Sequence, residues 1–156
     1  MDGILTDGTM FYLEGTGWVR TFSVLDGQGL ALLKKVGIEV GIITAANENI
    51  SITQRFKILG IQYLDIGSKD KLKTLEAWKS ELNLSWEQIS YMGDDVPDFQ
   101  CMKSAGFSTT VLSAIEPIKN MAHFIFNSKA GNGAVREFCD LLLLSQGKHP
   151  LQEFYQ

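Results

Sequence analysis

Histidine and cysteine are scarce, two of each in 156 residues, and the scarcity excludes several chemistries. Cys101 and Cys139 are far apart and in no Cys-x-x-Cys pattern, and a chain of this length needs no cross-links to hold a core, so both read as free thiols. His123 and His149 stand near no Gly-x-Ser-x-Gly turn and no cysteine signature, which leaves a hydrolytic triad without its parts. A basic tract is also missing. The 14 basic and 18 acidic residues, net charge −4, are mixed along the chain, so neither nucleic acid nor an anionic membrane is an expected partner. No apolar run approaches the length of a membrane span and no leader pattern is visible, and the expectation is a cytoplasmic protein.

With 45% hydrophobic residues and no linker, repeat or low-complexity tract, residues 1–156 read as one domain. From Val36 onward, short apolar runs alternate with stretches of helical period, which predicts a parallel sheet covered by helices, an α/β domain. Strands are expected at 40–44 and 89–93, with weaker ones at 107–112 and 123–126; helices are expected at 29–36, 48–59, 71–82, 99–105 and 134–145. Leu72, Leu75, Trp78 and Leu82 form one apolar stripe on the third of these helices, which should lie on the sheet. Residues 9–25 break the alternation: two β-rich runs flank Glu14-Gly15-Thr16-Gly17, the signal of a hairpin inserted in the first β-to-α step. Leu141 to Leu144 make their helix apolar on too many sides to face water, and the polar tail from His149 reads as mobile unless a neighbour holds it.

Four features fall at predicted strand ends or helix starts: Asp2-Gly3 with Asp7-Gly8, Thr44, Lys71, and Gly93-Asp94-Asp95 followed by Asp98. In a parallel sheet such ends share one edge, so these residues can converge. Clustered carboxylate oxygens suit Mg²⁺, and with a lysine and a hydroxyl they make a kit for phosphoryl transfer. Bland readings compete at each position. Asp95 and Asp98 stand where a helix cap belongs, and capping is the favoured reading of Asp98; Lys71 alone is a solvated helix start capped by Asp70. Asp94, at the tip of a buried strand, is better explained as a metal ligand. Gly131-Asn132-Gly133 is a turn into a helix, of the kind that also offers N–H groups to an anion.

Taken in order, these segments resemble the haloacid dehalogenase superfamily of phosphatases, and within it the small tetrameric branch acting on 3-deoxy-D-manno-octulosonate 8-phosphate. The resemblance rests on DGILTDG at 2–8, VLDGQG at 24–29, GIEVGIIT at 37–44, YMGDDVPD at 91–98 and GNGAVREFCDLLLLSQGK at 131–148. It implies a Rossmann-like parallel sheet with helices on both faces and a hairpin in place of a cap domain. It further implies Asp2 as the acid/base whose carbonyl also meets Mg²⁺, Asp94 and Asp95 as metal residues, Thr44 on the phosphoryl oxygens, and Lys71 bridging nucleophile and phosphate. Ser23, Val24, Leu25, Asp26 and Gly27, with Arg55, would meet the sugar acid, and a neighbouring subunit of a homotetramer would close the site.

Two departures stand out. The family's nucleophilic aspartate would lie one residue before Met1, and the apolar strand leading into it is expected upstream too. After Thr44 the chain reads Ala45-Ala46-Asn47 where the family commonly has Gly-Arg, which removes a cation from the substrate side. Phosphatases of nine-carbon sialic-type sugar acids, and a non-catalytic oligomeric scaffold of the same fold, stay open as alternatives.

Overall fold

The computed structural model of the chain describes residues 1–47 and 50–155. A buried turn over Met1 to Thr6 leads into a two-stranded antiparallel hairpin, β1 (Phe11–Leu13) and β2 (Gly17–Val19). There follow α1 (Val24–Lys35), β3 (Gly41–Thr44), α2 (Ile50–Ile58), β4 (Tyr63–Ile66), α3 (Lys71–Glu81), β5 (Ser90–Met92), α4 (Phe99–Ser104), β6 (Phe107–Val111), α5 (Glu116–Met121), β7 (Phe124–Phe126), α6 (Ala134–Ser145) and α7 (Pro150–Tyr155). Among the described residues the strands after the hairpin pair in parallel, and they fall into two sheets: β3 with β4, and β5-β6-β7 with β6 in the middle.

Helices cover both faces because side chains alternate along a strand. Ile42 packs into a core shared with Leu30 and Leu33 of α1, Ile52 and Phe56 of α2, and Val135 and Cys139 of α6. Its neighbour Ile43 points the other way, onto Leu75 of α3 and Cys101 of α4. Full burial of a side chain such as Phe56 contributes about 1.5–3 kcal/mol, and the first core holds most of these residues. Cys101 and Cys139 are free thiols at 0% exposure, and burial raises the pKa of both.

Among the described residues no ladder forms between the facing edges of β3 and β5. A cavity of about 280 Å³ lies there, walled by Ile42 and Ile43 on one side, Tyr91 and Met92 on the other, and Trp78 and Phe138 from the helix layers.

Several expected elements differ at their edges. The helix expected at 29–36 begins at Val24, because Ser23 caps it: its hydroxyl accepts from Asp26 N at 3.3 Å. Two glycines in that first stretch had hidden the helical period. The helix expected from Glu48 is described from Ile50; residues 48 and 49 lie outside the described residues. β4 and α5 are additional, both short. The tail is a helix, α7, anchored where Lys35 Nζ donates to Phe154 O at 3.2 Å; Gln156 lies outside the described residues. On α6, Val135, Cys139 and Leu143 form the buried stripe, whereas Leu144 is exposed.

Candidate active site

The four features singled out by sequence meet at one place, where Asp7 and Asp98 join the residues given catalytic or metal roles. Asp2, Thr44, Lys71, Asp94 and Asp95 all line a cavity of about 330 Å³ at the carboxyl ends of β3 and β5. Each arrives by a different local device. Thr44 ends β3, buried, and its Oγ1 accepts from Ala46 N at 3.1 Å, which turns the chain away from the sheet. Lys71 opens α3 behind its cap Asp70, whose carboxylate accepts from Lys73 N at 3.1 Å. Asp94 and Asp95 follow Gly93 at the end of β5, and Asp95 caps the turn at Val96 through a 2.8 Å bond to Val96 N.

Asp2 reaches the cavity on the turn in which Ile4 N and Leu5 N both donate to Met1 O. The turn needs glycine at position 3. Gly3 has φ +74°, and a Cβ there would collide with the carboxylate of Asp94. The outer carboxylate of that segment, Asp7, is exposed and closes a turn by accepting from Thr9 N at 2.8 Å.

The electrostatics centre on Asp98. Its Oδ1 accepts from Lys71 Nζ at 2.7 Å and from the Tyr91 hydroxyl at 2.8 Å; its Oδ2 accepts from Asp94 N at 3.2 Å and Asp95 N at 3.4 Å. Asp98 does cap its turn, as the sequence suggests, but it also holds Lys71, whose side chain is only 10% exposed. The solvated reading of Lys71 therefore fails. Burial alone would push the Asp98 carboxyl up, but the Lys71 ammonium and the hydrogen bonds bring it below the ordinary carboxylate range. Asp94 goes the other way, pushed up to about 6 by burial and then by the charge of Asp98. A buried carboxylate beside a second one is short of positive charge, which is what a divalent cation supplies. Among the described residues no three acidic, His or Cys side chains converge as a ready-made metal shell. Asp94 and Asp95 at the cavity suit Mg²⁺, which binds through one or two carboxylates and keeps water or phosphate in its other positions.

The second group of sequence candidates forms a separate unit that does not line this cavity. Val24 and Leu25 are exposed, Arg55 donates to Ser23 O at 2.9 Å, and Gly27 lies against the Arg55 guanidinium. Asp26 is 1% exposed and points into the protein, where it accepts from Arg136 N at 2.9 Å and Gly133 N at 3.4 Å. The anion that the Gly131 turn receives is thus the chain's own Asp26 carboxylate. Gly131, φ +64°, rests on the segment of Thr6 and Asp7 and donates to Ile4 O at 2.9 Å, so the same turn also supports the loop that carries Asp2.

Three participants escaped the sequence reading: Tyr91, Asp98 as the partner of Lys71, and Arg20, which forks onto Asp2 at 2.8 and 2.9 Å. The acidic run at the end of β5 is a signal for Asp98, but none points to Tyr91. Nothing in the pattern signalled Arg20.

A parallel α/β fold that gathers acidic residues, a lysine and a hydroxyl at the carboxyl ends of its strands has the parts for phosphoryl transfer. Residues 31–138 match the haloacid dehalogenase-like hydrolase family, and the chain belongs to it. It is 36% identical over 148 residues to the 3-deoxy-D-manno-octulosonate 8-phosphate phosphatase KdsC of Yersinia pestis, covering 95% of this chain and 79% of that protein. The crystal structure of the Yersinia pestis phosphatase superposes with a TM-score of 0.91, over 95% of this chain and 80% of that one. That of the Moraxella catarrhalis phosphatase, in complex with magnesium ion, phosphate ion and KDO, is 37% identical with a TM-score of 0.90, over 94% of this chain and 84% of that one.

Proposed function

We propose that the chain is a Mg²⁺-dependent phosphatase that releases phosphate from 3-deoxy-D-manno-octulosonate 8-phosphate. The observation that carries the reading is the convergence of Asp2, Thr44, Lys71, Asp94 and Asp95 on one cavity, in a chain similar over 95% of its length to phosphatases of that substrate.

Thr44 would donate its hydroxyl to a phosphoryl oxygen, and Lys71, fixed by Asp98, would stabilise charge on the same group. Asp2 would protonate the leaving alkoxide and then take a proton from water. Asp94, with Asp95 beside it and the Asp2 carbonyl, would hold Mg²⁺. When bound, the cation neutralises phosphate charge.

The reading includes an apolar strand, ending in the nucleophilic aspartate, that enters beside Met1. The slot between β3 and β5 supports it, since two parallel edges face each other across an apolar cavity and Met1 borders both that cavity and the acidic one. Assembly as a homotetramer is supported by exposed Phe11, Tyr12, Leu13 and Trp18 on the hairpin and Phe154 and Tyr155 on α7. No helix of the described residues is long and apolar enough to cross a membrane, and a cytoplasmic enzyme accords with that.

The test is phosphate release from this substrate with Mg²⁺, for the chain and for the chain extended by its upstream codons. Mg²⁺-dependent release that disappears in Asp94→Ala supports the reading. Silence of both forms refutes it.

A further inference from the structure

Arg20 directly follows β2, and its side chain is 6% exposed although it carries a full charge. Its Nε donates to Asp2 Oδ1 at 2.8 Å and one terminal nitrogen to Asp2 Oδ2 at 2.9 Å, the parallel fork that fixes a carboxylate in both distance and plane. Thr6 Oγ1 adds a third donor to Asp2 Oδ1 at 3.2 Å. The guanidinium does not line the acidic cavity, whereas Asp2 does. Arg20 therefore stands behind the carboxylate, on the side away from any bound phosphate.

From this we infer that Arg20 is a positioning residue for the acid/base step: it aims the Asp2 carboxylate into the cavity and ties that aim to the seating of the hairpin. The inference rests on the proposed phosphatase reading. A buried cation is costly to leave unpaired, so the fork holds wherever the hairpin is docked. Displacing the hairpin would withdraw Arg20 and leave Asp2 free to turn. Lysine could keep the charge but not the fork, because it presents a point charge on a flexible stem.

The test compares two leaving groups in whichever form of the protein, given or extended, turns over. Octulosonate 8-phosphate expels an alkoxide that must be protonated; p-nitrophenyl phosphate expels a phenolate that leaves without help. For Arg20→Lys and Arg20→Met, kcat on the sugar-acid phosphate should fall by about tenfold or more at a KM within about twofold, whereas the first-turnover burst of p-nitrophenolate, the step that needs no proton from Asp2, should keep its rate within about twofold. Equal losses in the sugar-acid turnover and in that burst would mean a merely structural role and overturn the inference, as would a change in KM alone or no change. Absence of turnover in the unaltered protein overturns the phosphatase reading and this inference together; normal turnover with equal losses overturns only the inference. Thermal unfolding of both variants checks that they fold.

Discussion

Replacing Asp98 by Asn keeps the shape of the side chain and removes one charge at the point where four donors meet. Lys71 Nζ and the Tyr91 hydroxyl share one oxygen, and the amides of Asp94 and Asp95 share the other. An asparagine has a single acceptor oxygen, so whichever way it turns its NH₂ group confronts donors. The Lys71 ammonium, 10% exposed, is left without its carboxylate. Breaking a buried pair from one side costs about 3–5 kcal/mol, against a total stability of roughly 5–15 kcal/mol for a domain.

Urea unfolding at pH 7, followed by the fluorescence of the three tryptophans, should show that loss. Adding Lys71→Met should recover part of it, because the double variant leaves no unpaired charge, and the cycle should be non-additive by more than about 1 kcal/mol. The acid limb gives the sign. Asp98 has its pKa depressed by Lys71, so its contribution is present above the ordinary carboxylate range and is lost as pH falls through the folded value; the variant and the parent should converge in strong acid. A loss under about 1 kcal/mol at pH 7, or additive single and double variants, would refute the reasoning.

Asp94→Asn should stabilise the metal-free protein at pH 8, since Asp94 is pushed up from 3.8 to about 6, a difference equivalent to at most about 3 kcal/mol; the same variant should lose any thermal shift on adding Mg²⁺. By the same linkage, the contribution of a carboxyl with a raised pKa is complete below 3.8 and lost as pH rises through about 6, so calorimetry without metal should show stability falling across that window while Mg²⁺ binding strengthens. Asp26→Ala should cost about 2–3 kcal/mol, by stripping the buried acceptor from the Gly133 and Arg136 amides, and leave KM unchanged; a higher KM with intact stability would restore a substrate role. Thr109 has a buried hydroxyl with no partner among the described residues, so Thr109→Val should be neutral or stabilising by about 1 kcal/mol in a denaturant titration.

What the sequence made legible follows from which interactions are local. The strand Gly41–Thr44 and the strand Ser90–Met92 were visible as short apolar runs, and their ends placed Thr44 and Asp94 on one edge because parallel strands share a direction. The helix Ala134–Ser145 was read at its observed bounds, since the glycine turn before it is a strong punctuation mark. β4 escaped because all four of its residues are half-buried, with no alternation to read.

The site divides in the same way. Residue types at element ends, Asp2, Thr44, Lys71 and Asp94, were legible because strand ends and helix starts can be placed from local pattern alone. The pairings that decide their behaviour were not: Lys71 finds Asp98 across 27 positions, Asp2 finds Arg20 across 18, and Asp26 finds the start of α6 across 107 and 110. Asp26 shows the hazard most clearly. Its place in a motif suggested a ligand contact, but a carboxylate on the first turn of one helix serves as well to cap another, and only the packing of α1 against α6 decides which donors it meets. Motif position thus identifies which residues are constrained, and tertiary contact decides whether the constraint belongs to the fold or to the reaction.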